Sequence, residues 1–227
     1  LTGLLDIVGL TLKLAGVTTL ILLVLATPLA WWLARSRGWK SEVVGALVAL
    51  PIVLPPTVLG FYLLIALGPH SVLMAPLQAL GVRTLAFTFE GLVIGSVFYS
   101  LPFAVQPLRN AFRDVGEDNL DAAATLGASG WQTFFRVALP LSVPGYVVAA
   151  ILSFAHTIGE FGVVLMIGGG IPGSTNVLSI EIYKSVEALE WGRAHAMAAL
   201  LAVFGFAVVL TLLRLERRIS APLLNER

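Results

Sequence analysis

The segment FAHTIGEFGVV, residues 154–164, holds the pair of side chains best placed for proton or ion chemistry in this chain. His156 and Glu160 are four residues apart, so on a helix they share a face. A metal centre needs further ligands. The other two histidines, His70 and His195, are distant in sequence, and the chain has no cysteine. No metal-ligand spacing results, and thiol catalysis and disulfides are excluded. No Ser/His/Asp constellation stands out either. Residues 168–175, GGGIPGST, set G-x4-G before Ser174 and Thr175. The lysine of a phosphate-binding loop is replaced by Ser174, and the run follows an apolar span rather than a strand. It reads as an external turn. The chain is expected to have no catalytic residue, no metal and no cofactor of its own.

The elements carrying these residues are apolar. An ionisable residue inside a membrane span is a functional suspect by default. A bare carboxylate repels an anion, so Glu160 is read as a structural or gating group. Its expected partner is His156, a neighbouring backbone group or Arg193; direct substrate contact is the lesser alternative. Gly159 and Gly162 flank it and permit close helix contact. A second irregular stretch is ALPIVLPPTVLG, where Pro51, Pro55 and Pro56 each remove an intrahelical hydrogen bond. Broken backbone at membrane depth is tolerated where it is buried in protein or lines a watery cavity. A half-helix starting at Pro55 or Pro56 would aim its positive end at the midplane, which suits an anion. Thr57 adds a hydroxyl, and Gly60 lies one turn on. The competing reading is a kink that serves helix packing alone.

Composition sets the solvent. The 227 residues are 58% hydrophobic and 12% charged, against about 45–50% and about 25% in soluble domains. The net charge of +1 suggests no nucleic-acid partner. Five apolar runs are long enough to span a bilayer, at about residues 12–34, 43–67, 89–108, 139–167 and 193–213. The first is read as a retained span rather than a signal peptide. Sorting the 14 Lys and Arg by side gives ten against four, with Arg35, Arg37, Lys40, Arg109, Arg113, Arg136, Arg214, Arg217, Arg218 and Arg227 together. The positive-inside rule makes that side cytoplasmic, with the N-terminus outside and the C-terminus inside. Trp31, Trp32 and Trp39 are read as interface markers. The fold class is thus an all-α integral membrane protein, with a cytoplasmic loop at about 109–138 between the third and fourth spans.

That loop is the polar oddity of the chain. Asp121–Pro140 reads DAAATLGASGWQTFFRVALP. Asp118 or Asn119 can cap a helix with its core at Leu120–Leu126. Gly127 sits where a left-handed C-terminal residue is wanted. Ser129 and Gln132 make a capping box for a second helix, on which Trp131, Phe134 and Phe135 form one apolar face. Pro140 is expected to begin the next span. A capped helix that merely lies on the membrane is the plain alternative.

The segment resembles the cytoplasmic loop of ABC importer permeases: E-A-A, three residues, Gly, nine residues, Ile, one residue, Leu-Pro. Asp121, Ala122 and Ala123 stand at the E-A-A positions, and Gly127, Val137, Leu139 and Pro140 at the others. Asp for Glu and Val for Ile keep the chemistry. The resemblance implies that the short helix docks in a cleft of a cytoplasmic ATPase. LPIVLPPTVLGFYLL, SLPFAVQPLRNAF and TIGEFGVVLMIGGGIPG extend it over nearly the whole chain, where it is similar to molybdate importer permeases. That family implies a homodimer of permease subunits, two ABC ATPase subunits carrying ATP and Mg, and an external molybdate-binding protein. The setting would be the inner membrane of a prokaryote. Tungstate is a close relative as substrate. A sulfate or thiosulfate permease is the nearest rival, and a secondary transporter or channel the rival from another class.

Overall fold

A computed structural model describes residues 2–224, with side chains over 3–215. Arg217, Arg218 and Arg227 of the basic tally lie outside the described side chains. The elements are helical throughout the described residues. α1 (Thr2–Arg35) is followed by α2 (Trp39–Val53), α3 (Pro56–Leu67), a short α4 (Ala75–Ala79) and α5 (Phe89–Asp114). The polar insert then holds α6 (Glu117–Thr125), α7 (Gly130–Thr133) and α8 (Leu139–Leu141). α9 (Val143–Gly159), α10 (Gly162–Gly168), α11 (Leu178–Glu187) and α12 (Trp191–Leu224) complete the chain.

Three of these, α1, α5 and α12, are long and apolar enough to cross a membrane. The number rises to as many as five if two bent pairs each count as one span. α2 and α3 meet at 111°, and the α7–α8 stretch meets α9 at 67°. The first bend has a local cause. Pro55 and Pro56 cannot donate backbone N–H groups, and Leu54 and Pro55 are extended, at ψ 137° and 134°. α3 then starts at Pro56 with Pro55 as its N-cap, as the prolines predict. The size of the bend means that residues 43–67 are not one kinked rod: α3 turns away and packs on α10. Residues 139–167 are likewise not one helix. α9 ends at Gly159 and α10 is a separate piece.

The main core joins α1, α2, α5 and α9. Ala26, Ala30, Ala104 and Ala149 are fully buried there beside Leu22, Leu33 and Leu108. Small side chains at crossings let backbones approach closely, the usual way that helices associate in lipid. A second cluster, with Leu14, Leu92, Val164 and Ile180, ties the other half of α1 to α5, α10 and α11. α1 therefore runs the height of the bundle. Its Arg35 end meets the polar insert, and its beginning meets the glycine-rich turn after α10.

Candidate functional site

α6 begins two or three residues earlier than its sequence suggests. Neither Asp118 nor Asn119 caps it. The chain reverses at Gly116 (φ 76°), which becomes the N-cap, and both residues fall inside the first turn. Asn119 instead donates to the Val115 carbonyl at 2.6 Å. Glu117 and Asp118 favour the helix N-terminus electrostatically. The far end closes as a Schellman motif. Gly127 has φ 80°, its N–H donates to Ala124 O at 2.9 Å, and the Ala128 N–H donates to Ala123 O at 3.0 Å. The capping box also forms: the Ser129 hydroxyl accepts from the Gln132 N–H, and the Gln132 side chain accepts from the Ser129 N–H.

Past α7 the regular ladder fails. Pro140 has no N–H to offer, and residues Phe134–Ala138 widen into a π-helical turn just before it. Two expectations change as a result. The long helix starts at Val143 rather than Pro140, because the chain bends at Ser142. Trp131, Phe134 and Phe135 do not share one face. Trp131 stacks on Phe135 at 5.6 Å, and both are exposed, whereas Phe134 turns inward. Phe134 meets the Trp31 ring of α1 edge-on at 5.2 Å, and Trp31 meets Phe112 of α5 at 5.2 Å. Trp31 is thus a packing residue under the insert as well as a residue near an interface. An Arg37–Glu117 ion pair at 3.1 Å adds a surface contact between the end of α1 and α6; exposed pairs of this kind contribute little.

The E-A-A positions divide by face. Ala123 is buried with Leu120, which packs on Val115 and Ala138. Asp121 lines a cleft of about 810 Å³ between α6, α7 and the end of α1. Ala122 faces outward with Leu126, which is 88% exposed. The sequence pattern did not single out this exposed leucine at the end of a polar helix. Leu139 and Pro140 sit in α8, beyond the π turn.

The second group of residues lies deeper. Gly60 is buried on α3, where a Cβ would come within 2.8 Å of Met166 Cβ and 3.2 Å of Val163 Cα. Gly162 meets Pro56 in the same way, at 2.6 Å. The two glycines set the α3–α10 crossing. Thr57 and Pro55 are exposed and Pro56 is half-buried. Gly159 is exposed with nothing close to its Cβ position, so it makes no tight helix contact within this chain. His156 and Glu160 do not share a helix face, because α9 stops between them. Glu160 is the C-cap with extended backbone (ψ 133°). His156 Nδ1 lies 2.9 Å from Ser100 Oγ, and its ring stacks on Phe103 at 4.0 Å. Glu160 is buried, and neither carboxylate oxygen has a hydrogen-bond partner. Its backbone carbonyl accepts from Ser179 Oγ at 2.5 Å. Arg193 is not its partner: that guanidinium bonds Glu181 at 2.5 Å.

Glu181 belongs to a polar knot that the sequence reading missed. It accepts from Asn176 Nδ2 at 2.6 Å, while Lys184 bonds Asn176 Oδ1 and the Gly170 carbonyl. Thr175 closes the glycine-rich turn by donating to Gly168 O and accepting from the Ile171 N–H. Gly169, Gly170 and Gly173 all have positive φ. Residues 168–175 are thus a knotted turn with its hydroxyl engaged, not a phosphate cradle.

An all-helical chain with long apolar helices and a capped polar insert has the build of a transporter's membrane subunit. The chain belongs to the family described as binding-protein-dependent transport system inner membrane component, whose model matches residues 26–221. It is 56% identical over 216 residues to the molybdenum transport system permease protein ModB of Azotobacter vinelandii, covering 95% of each chain. The ModB protein of Mycobacterium tuberculosis is 39% identical over 201 residues, 88% of this chain and 75% of that one. A probable sulfate transport system permease protein of Chlorella vulgaris is 30% identical over 201 residues, with coverage of 88% and 75%. Among solved structures, a bacterial alginate ABC transporter matches at 20% identity and a TM-score of 0.74, over 95% of this chain and 79% of that one. The MetNI methionine ABC transporter matches at 18% and 0.66, over 95% of both. At such identities these two speak for the fold alone.

Proposed function

We propose that the chain is the membrane-spanning permease subunit of an ATP-driven molybdate importer. The observation that carries this is the 56% identity to a molybdenum permease along nearly the full length of both chains. The sulfate permease relative, at 30%, supports the sulfate alternative less well. The chain performs no chemistry; hydrolysis belongs to a separate ATPase subunit. Two copies of the chain form the pathway, two ATPases dock on the inserts, and an external binding protein delivers the oxyanion. Tungstate shares the geometry of molybdate and would follow the same route.

In this reading the five spans cross the inner membrane with the insert on the cytoplasmic side. The outward face of α6, with Ala122, Thr125 and Leu126, docks in the ATPase. Asp121 lies beside that face, and Ala123 and Gly127 keep α6 in shape. Closure of the ATPases moves the insert, and Phe134 passes the motion to α1 and α5 through Trp31 and Phe112. Leu139 and Pro140 carry it into α9. Pro55, Pro56, Thr57 and Gly60 with Gly162, and His156, Gly159 and Glu160, form the pathway or gate. The test is reconstitution of the chain with its ATPase and binding protein in lipid vesicles. Molybdate-loaded binding protein should stimulate ATP hydrolysis and molybdate uptake. Equal stimulation by sulfate-loaded protein from the same system would overturn the molybdate assignment.

A further inference from the structure

α5 carries Gln106, Asn110 and Asp114 at a spacing of four, so all three lie along one helix face. That face borders a cleft of about 660 Å³ between α5 and α9, closed at the side by Ile52 of α2. All three side chains are exposed in it. At a rise of about 1.5 Å per residue, Gln106 sits about 12 Å along α5 from Asp114, in the last turn of the third apolar run, with Asn110 just beyond it. An amide beside apolar cleft walls is costly unless its hydrogen bonds are met. The face therefore needs water or a polar passenger. The α9 wall is apolar, with Val148 and Leu152, and no Lys or Arg lines the cleft among the described residues. α9 is also held hard against α5: a Cβ on Gly145 would come within 2.3 Å of Ala111 Cβ.

We infer that the tetrahedral oxyanion passes along this face, taking hydrogen bonds from the neutral side-chain amides of Gln106 and then Asn110. Neutral donors suit a conduit better than arginines. Passage needs binding strong enough for entry and weak enough for release, and a buried guanidinium would trap a dianion. Asp114, on the same face and nearest the insert, is a like charge at the cytoplasmic mouth, so no second anion site forms beyond Asn110. The cleft thus has neutral donors along it and no fixed positive charge at its mouth to hold the anion.

The inference rests on the oxyanion-permease reading, and the test separates the two. The complete complex is reconstituted with binding protein, and molybdate uptake is measured per ATP hydrolysed. Gln106→Glu and Asn110→Asp keep side-chain volume but replace the donor with an acceptor. Each should lower uptake per ATP about tenfold or more, while stimulated hydrolysis and subunit assembly persist. Gln106→Asn should retain most of the uptake. Unchanged uptake per ATP in both acidic variants would overturn the inference. Loss of the dimer in Gln106→Leu, a variant that keeps bulk without polarity, would assign the amides to subunit packing and overturn it too. A wild-type complex that imports no oxyanion would sink the permease reading itself, and this inference with it.

Discussion

Gly127 ends α6 with φ 80°, and nothing lies within 4 Å of the position its Cβ would take. Its constraint is therefore backbone conformation rather than space. A β-branched residue in the left-handed region costs on the order of 1–2 kcal/mol, whereas Asn tolerates it. Gly127→Val should unwind the Schellman end, misplace the exposed Leu126 and reduce ATPase co-purification several-fold. Gly127→Asn should bind almost as the native chain does. Equal binding by all three proteins would show that the turn does not set the docking geometry. This glycine was legible in the sequence because the motif is local. Glu160 was only half legible. An acid in an apolar run stands out, but its distance from His156 depends on where α9 stops, and Gly159 permits that stop without announcing it.

The elements divide in the same way. Prolines locate the break between α2 and α3, since the missing N–H groups are a property of the residues. The 111° turn was not legible, because it follows from the packing of α3 on α10 at Gly60 and Gly162, which are about 100 residues apart in sequence. α11 was missed for a related reason. Its apolar and polar residues alternate too evenly for a span, and nothing local marks Glu181 as a buried acid. Tertiary structure instead draws Glu181 into a knot with Asn176 and Arg193. Glu181→Leu leaves Asn176 without its acceptor and Arg193 without its closest carboxylate. It should destabilise the bundle by about 2 kcal/mol, read as a lower thermal midpoint in detergent. The knot lies at the end of the bundle opposite the insert, so subunit assembly with the ATPase should survive. A variant as stable as the native chain would show that solvent already competes for those bonds.

At the scale of the whole molecule, α1 is the reference axis. Its 34 residues extend about 50 Å, more than the roughly 30 Å hydrocarbon core. Its first turns border Pro172 and Gly173, and its last border α6. In the proposed orientation the two ends of α1 belong to opposite sides of the membrane, with the insert on the side that carries ten of the 14 basic residues. The chain has no cysteine, so single cysteines report without background. Thr125→Cys on α6 and Pro172→Cys in the knotted turn are both at exposed positions. In intact cells a membrane-impermeant maleimide should label the Pro172 variant and spare the Thr125 variant. Lysed membranes should label both. The reverse pattern would place the insert outside, away from any ATP, and coupling through α6 would fail with it. Labelling of both in intact cells would mean that α1 does not cross, and the span assignment would have to be rebuilt from α5 and α12.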